Sequence, residues 1–438
     1  MVRQRHLVVA AALGVLTTAG YMIGSGRVFG YDAAVTFANF IATPSLWDAF
    51  ATRSVLPSIS IAVIAPNDHV LLSFASHIIF SLTGSHSEAV YRFLPALAGG
   101  ATVAVTTAAL APRYGLLAAM SAGLFIATDP MFVENSRDVR GYSLAALCSV
   151  VATLLFLGKH TNRRLVAYAI VIALGMASHI FVAVVLVGHF IYLLITARPA
   201  LMRFVPAWVG GVLLGLAINA NILYLDLTGH GLPPRLFRPE FGEYVLLFIL
   251  GAPILLSLGG WLSTVLLGMW VLRTQTWFWA VLGGFAVVVA VFWLVLQPGY
   301  LFPRFFIFLI PAAASMMAVA VQRWKVLAPV VLVGAAAAIW GQIPDYTTDP
   351  LALRQAASVI NQAEAHGQRV CVIHMDDQVL AAYTSGFKVI TSTDQLAGCD
   401  MVVVASWNVD LNVRDEAARE FPTAQALPAY YPTVVLTR

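Results

Sequence analysis

Carboxylates, guanidiniums and imidazoles recur at the edges of the apolar runs of this sequence, and together they could do chemistry. Asp32 stands a few residues beyond the first apolar run, next to Tyr31. The polar trio Asn67-Asp68-His69 follows, and Arg92 sits at the mouth of the next run. Glu134-Asn135-Ser136-Arg137-Asp138-Val139-Arg140-Gly141-Tyr142 ends a later run, His179 lies between two others, and Pro303-Arg304-Phe305 opens one more. A positioned carboxylate can take a proton from a hydroxyl. Guanidinium, with its rigid fork of donors, suits a phosphate or another oxyanion. Plainer uses remain open: a hydrated loop acid at Asp32, an Arg-Asp pair inside a turn at 134–142, and arginines that snorkel from helix ends to the interface.

Which use applies depends on the elements that carry these residues. The chain is 60% hydrophobic and 11% charged, with a mean hydropathy of +0.83, beyond what a soluble core of this length needs. This composition predicts a mainly all-α polytopic membrane protein. A spanning helix takes roughly 20 mostly apolar residues, and about eleven segments fit, some slightly short. They run Leu7 to Ser25, Phe93 to Ala111, Tyr114 to Val133, Ser143 to Gly158, Leu165 to Ser178, Phe181 to Ile195, Val205 to Leu223, Ala252 to Leu272, Trp277 to Leu296, Phe305 to Val321 and Val326 to Gln342. The first reads as a retained helix rather than a cleaved signal, because no clear small-x-small site ends it.

Charge sets the orientation. With Arg3 and Arg5 in the cytoplasm, Arg113, Lys159, Arg163, Arg164, Arg198, Arg203, Arg273, Arg323 and Lys325 all fall on that side, and no Asp or Glu does. That matches the positive-inside bias. The net charge of +4 is then topology, not a nucleic-acid surface. It also brings Asp32, Arg92, Arg140 and Arg304 to one outer membrane edge, where cations could hold a lipid phosphate. The long outer stretch Tyr31 to Arg92, with amphipathic pieces at Ala33 to Ala51 and Val70 to Thr83, is the expected reaction site.

Past residue 343 the composition changes. Helix-like Leu351 to Ala365 alternates with β-rich Arg369 to His374, Lys388 to Thr391, Met401 to Ala405 and Thr433 to Thr437, which predicts a small α/β domain over 344–438 with a parallel sheet. The helix count puts it outside the membrane, with 1–343 as the transmembrane module. Cys148 falls in a predicted span; Cys371 and Cys399 fall in the outer domain, where a disulfide is permitted but no spacing demands one. No zinc-type spacing appears. His69 and His179 map to the outer edge and could join a carboxylate around a divalent metal, but no cofactor is required by the pattern. There is no P-loop, dinucleotide fingerprint or transporter-like repeat.

Read in order, Tyr31-Asp32-Ala33-Ala34-Val35-Thr36, Asn67-Asp68-His69-Val70-Leu71-Leu72, Gly84 through Ser87-Glu88 to Arg92-Phe93-Leu94-Pro95-Ala96, and Arg137 to Tyr142 resemble the polyprenyl-phosphate-dependent GT-C glycosyltransferases. The nearest branch is similar to protein O-mannosyltransferases and the bacterial aminoarabinose transferase. Arg304 to Pro311 resembles a later helix start of that family. One departure stands out: many relatives carry Asp-Glu where this chain has Asp32-Ala33.

The resemblance implies a GT-C-like fold and transfer of a sugar from a polyprenyl phosphate to a glycan, lipid or protein acceptor outside the cell, with inversion. It implies Asp32 as general base, Arg92, Arg137, Arg140 and Arg304 as donor-phosphate ligands, and Tyr31, Asn67, Asp68, His69, Tyr142 and His179 as substrate contacts. Without a eukaryotic retention signal, the expected location is a bacterial plasma membrane. A lipid-sugar binder without turnover is the alternative that Ala33 raises. A transporter or flippase fits less well, since the span interiors are nearly uncharged.

Overall fold

A computed structural model describes residues 2–50, 53–55, 62–64, 69–221, 255–291, 303–374, 376–405, 409–429 and 433–438. Each of the eleven apolar segments carries a helix, and the ends at 222–223, 252–254 and 292–296 lie outside the described residues. Among the described residues, Gln4–Met22, Glu88–Tyr114 and Arg198–Ile218 are long and apolar enough to cross a membrane. Leu116–Thr128 and Pro130–Ser136, bent by 62°, would together make a fourth. The bend has a local cause. Asp129 takes an extended ψ of 122°, its side chain accepts from Phe132 N, and Pro130 opens the second helix without needing a donor. Shorter apolar helices of 10–17 residues include Val70–Thr83, Tyr142–Phe156 and Leu309–Arg323.

By its contacts the chain forms two compact units. The first comprises Met1–Ile23, Asp68–Leu72 and Arg92–Ile343. Here helix Asn162–Ser178 packs against Leu201–Ile218 and Tyr142–Phe156, and Leu309–Arg323 packs against Leu255–Leu272 and Leu116–Thr128. Small residues let backbones approach. A Cβ on Gly14 would lie 2.7 Å from both the Gly100 carbonyl oxygen and the Ala104 Cβ, so helices Val2–Met22 and Glu88–Tyr114 meet almost backbone to backbone. Buried His189 is a packing residue. It lies 2.8 Å from Tyr168 Oη and 3.2 Å from Thr153 Oγ1, and stacks on Phe156 at 4.1 Å.

The second unit comprises Gly24–Asn67, Ser73–Tyr91 and Pro344–Arg438. Its sheet is ordered Lys388–Ile390, Val370–Ile373, Met401–Val404, Thr433–Thr437, Thr423–Leu427. The first two pairings are parallel and the last two antiparallel, which corrects the all-parallel expectation. The added strand Thr423–Leu427 pairs with Thr433–Thr437 as a hairpin edge, and its side chains are exposed except at Leu427. Cys371 and Cys399, 28 residues apart and both buried, are joined in a disulfide inside this core. Leu396, Val402, Val413, Phe421 and Leu436 pack around them.

Candidate functional site

In the first unit, residues distant in sequence converge on one buried cluster. His69 precedes helix Val70–Thr83 and is fully buried; its Nδ1 lies 2.7 Å from the carbonyl oxygen of Ser178, the last residue of helix Asn162–Ser178. A carbonyl can only accept, so Nδ1 carries the proton. Tyr142 stands edge-on to His69 with centroids 4.6 Å apart, and His179 lies 5.1 Å from Tyr142 and 5.6 Å from His69. Phe305 closes the group, 4.8 Å from His179 and stacked on Tyr142 at 6.4 Å.

Local sequence explains how these rings meet. Gly141 immediately precedes Tyr142, and a Cβ there would lie 2.5 Å from Ser178 O and 3.0 Å from His69 Nδ1. Only glycine lets the turn pass that close. Ser143 Oγ donates to Pro95 O at 2.9 Å, tying the start of helix Tyr142–Phe156 to the helix that carries Arg92.

The cations divide by their surroundings. Arg304, in the short 3-10 turn Pro303–Phe306, sits with its guanidinium carbon 5.7 Å from the Tyr142 ring centroid, a cation–π distance. Arg140 is half-buried, two residues before Tyr142, and Arg92 is buried in helix Glu88–Tyr114. Arg137, also buried, donates through Nε to Tyr21 O at 3.2 Å and through Nη2 to Ile23 O at 2.8 Å. It thereby satisfies carbonyls at the C-terminus of helix Val2–Met22, where a helix leaves acceptors unmet and favours a cation.

Asp32 belongs to the second unit. It is the second residue of helix Tyr31–Thr36, half-buried, one position after Tyr31. A carboxylate in a first turn is favoured by the helix dipole. The helix continues into a π turn at Phe37–Ile41, where buried Phe37 packs with Phe29, Tyr91, His86 and Phe80 at 5.2, 5.0, 5.6 and 6.1 Å between centroids. Ala33 and Ala34 are fully buried, and helix Asp376–Leu380 packs against this helix. Upstream, Val28 N donates to Asp349 Oδ1 at 2.9 Å and Phe29 N to Tyr383 Oη at 2.7 Å.

The residues singled out from sequence thus fall in two places. His69, Tyr142, His179 and Arg304 share the first-unit cluster; Tyr31 and Asp32 lie in the second unit. Asn67 and Asp68 lie outside the described residues. Ser178, Gly141 and Phe305 are not singled out by the sequence, although each adjoins a residue that is: His179, Tyr142 and Arg304. Among the described residues, no group of three or more His, Cys, Asp or Glu side chains is arranged to hold a metal ion.

Residues 68–224 match the family model described as dolichyl-phosphate-mannose-protein mannosyltransferase, and His69, Arg92, Arg137, Arg140, Tyr142 and His179 all fall within that stretch. In fold the chain is similar to ArnT from Cupriavidus metallidurans, solved in the apo state and bound to undecaprenyl phosphate. In both states the TM-score is 0.60 at 14% identity, over 98% of this chain and 97% of that one. The oligosaccharyltransferase of Archaeoglobus fulgidus, solved with zinc and sulfate, is similar with a TM-score of 0.51 at 14% identity, over 91% of this chain and 67% of that one. No curated protein matches the chain in sequence. The chain therefore shares its fold with these two solved proteins.

Proposed function

We propose that this chain is an integral-membrane glycosyltransferase that moves a sugar from a polyprenyl phosphate to an acceptor hydroxyl outside the cell. The observation that carries this reading is the buried His69–Tyr142–His179 cluster with Arg304 over the Tyr142 ring, built largely from the stretch that matches the mannosyltransferase family model. The fold neighbour that binds undecaprenyl phosphate supports a lipid-linked donor. The full arrangement we infer has about eleven spans, a cytoplasmic N-terminus, and 344–438 on the far side of the plasma membrane.

The acceptor oxygen attacks the anomeric carbon as the bond from that carbon to the phosphate oxygen breaks, inverting the centre. Asp32 takes the acceptor proton, a contribution of about 10²- to 10⁴-fold. The electron pair leaves with the phosphate, and Arg92, Arg140 and Arg304 stabilise the growing charge in a poorly hydrated site. Arg137, already committed to the Tyr21 and Ile23 carbonyls, holds the scaffold. Tyr31, His69, Tyr142 and His179 contact the donor or acceptor, as do Asn67 and Asp68. The acceptor is a glycan, lipid or protein of the cell envelope.

One observation favours a second reading. Ala33 stands, fully buried, where the family resemblance implies a second acid in many members, which suits a protein that binds the lipid-linked sugar without turning it over.

The deciding experiment incubates purified protein with radiolabelled polyprenyl-phosphate sugars and a crude envelope extract. Transfer by wild type, reduced about 100-fold or more in Asp32→Asn, is the expected result. Label that binds without transfer in wild type and variant alike would establish the binding protein instead. Arg140→Ala is expected to weaken donor binding in either case.

A further inference from the structure

Three residues of the C-terminal segment hold the chain just ahead of Asp32. Arg354 Nη2 donates to Gly26 O at 2.6 Å, Asp349 Oδ1 accepts from Val28 N at 2.9 Å, and Tyr383 Oη accepts from Phe29 N at 2.7 Å. Gly30 follows as the N-cap of the helix that carries Asp32, and its carbonyl takes the first helical bond, from Ala34 N at 2.9 Å. The start of that helix is therefore set by where Phe29 is held.

Tyr383 is itself fixed. Its hydroxyl donates to Glu88 Oε1 at 3.0 Å, and Arg354 Nη2 lies 2.6 Å from the same oxygen. The Glu88 side chain is only 5% exposed, so a buried carboxylate ties together the tyrosine and the arginine. The Tyr383 and Phe29 rings also meet, 6.2 Å apart. The hydroxyl links a backbone amide to a charge, a polarised chain that defines both its geometry and its direction.

The geometry points to Tyr383 and Glu88 as positioning residues for Asp32, an assignment that rests on Asp32 being the general base. Neither touches the reacting atoms in this scheme. Tyr383 fixes the Phe29 amide, Glu88 orients the Tyr383 hydroxyl, and Arg354 balances the Glu88 charge. The C-terminal segment is then part of the catalytic apparatus, not only a platform for acceptors. A base displaced by about 1 Å can cost on the order of 10²-fold in rate, which is the scale this brace controls.

The test uses the full-length protein. Tyr383→Phe keeps the ring and removes only the hydroxyl; Glu88→Gln keeps an acceptor oxygen and removes the charge. Each is expected to lower kcat by about 10- to 100-fold while KM for the polyprenyl-phosphate sugar stays within about twofold. The double variant should lose less than the product of the two, because both break one chain. Amide hydrogen exchange should accelerate over residues 28–37 in both. If Tyr383→Phe fails to fold, Glu88→Gln carries the test alone. Unchanged exchange over 28–37, or faster exchange with unchanged kcat, overturns the assignment. Faster exchange in the variants of a wild type that transfers no sugar sinks the transferase reading and leaves the brace standing.

Discussion

His69 Nδ1 meets the carbonyl oxygen of Ser178 at 2.7 Å, so the residue that opens one helix is fixed by the residue that ends another. Gly141 passes beside that bond with no room for a methyl group. Gly141→Ala is expected to lose about 1–3 kcal/mol of stability, the usual cost of overpacking a rigid contact. Thermal unfolding in nanodiscs and undecaprenyl-phosphate binding would report it together. A variant as stable as wild type, with unaltered binding, would show that the bond yields easily.

Arg137 and Arg140 are three residues apart and should behave differently. Arg137→Lys cannot reach the Tyr21 and Ile23 carbonyls with one fork. Its loss should appear as stability, about 1.5–3 kcal/mol for charge-assisted bonds, with little change in lipid-phosphate affinity. Arg140→Ala should weaken that affinity at least about tenfold, which is roughly 1.4 kcal/mol, while the melting temperature barely moves. An exchange of these two phenotypes would reverse the roles given to the pair.

Restoring the absent acid is expected to harm the protein. Ala33 is fully buried on the helix that Asp376–Leu380 packs against, so Ala33→Glu would place a carboxylate out of water. The cost should be at least about 2 kcal/mol, with no gain in transfer rate. Faster transfer by Ala33→Glu would show instead that the missing acid limits the wild type.

The C-terminal segment should respond to pH through His374. Its direct interaction with the Asp377 carboxylate raises the imidazole above its ordinary value, against the desolvation that lowers it. At 3.6 Å the contact is an ion pair rather than a well-formed hydrogen bond. Because the folded value is raised, the added stability is fully present below the unfolded value of about 6.5 and is lost as pH rises through the folded one. Comparing wild type with His374→Gln by thermal melts, the gap should be widest near pH 5.5 and should narrow by pH 8.5. A constant gap would remove the imidazolium from the account.

Much of this architecture is legible in the residues. Val70–Thr83 forms the helix its apolar spacing predicts, end to end, and the apolar runs are helices because nothing else satisfies a backbone in such a sequence. The strand Thr423–Leu427 was invisible: Thr-Ala-Gln-Ala-Leu lacks the β-branched, alternating pattern of a half-buried strand, since it is an exposed edge held by its neighbour's ladder. With that hairpin unread, the sheet looked all-parallel. In the site, Tyr142, His69 and Arg304 announce themselves by type and motif. The Ser178 carbonyl does not, because any residue could supply it, and the Phe29 bond to Tyr383 crosses 354 positions that no local pattern connects.

The bond between Cys371 and Cys399 makes the stability of the sheet-bearing segment sensitive to thiol redox state. Closing a loop of 28 residues is worth about 3–4 kcal/mol by the chain-entropy account, a sizeable share of the 5–15 kcal/mol that typically holds a domain folded. A chain made in a reducing environment would forgo that share in the same sheet-bearing segment that supplies Tyr383, Arg354 and Asp349. Oxidation would then act as a maturation step, after which the loop around Asp32 acquires its fixed supports. Protein handled under thiol reductant would be correspondingly slack at its proposed base while keeping its helices intact.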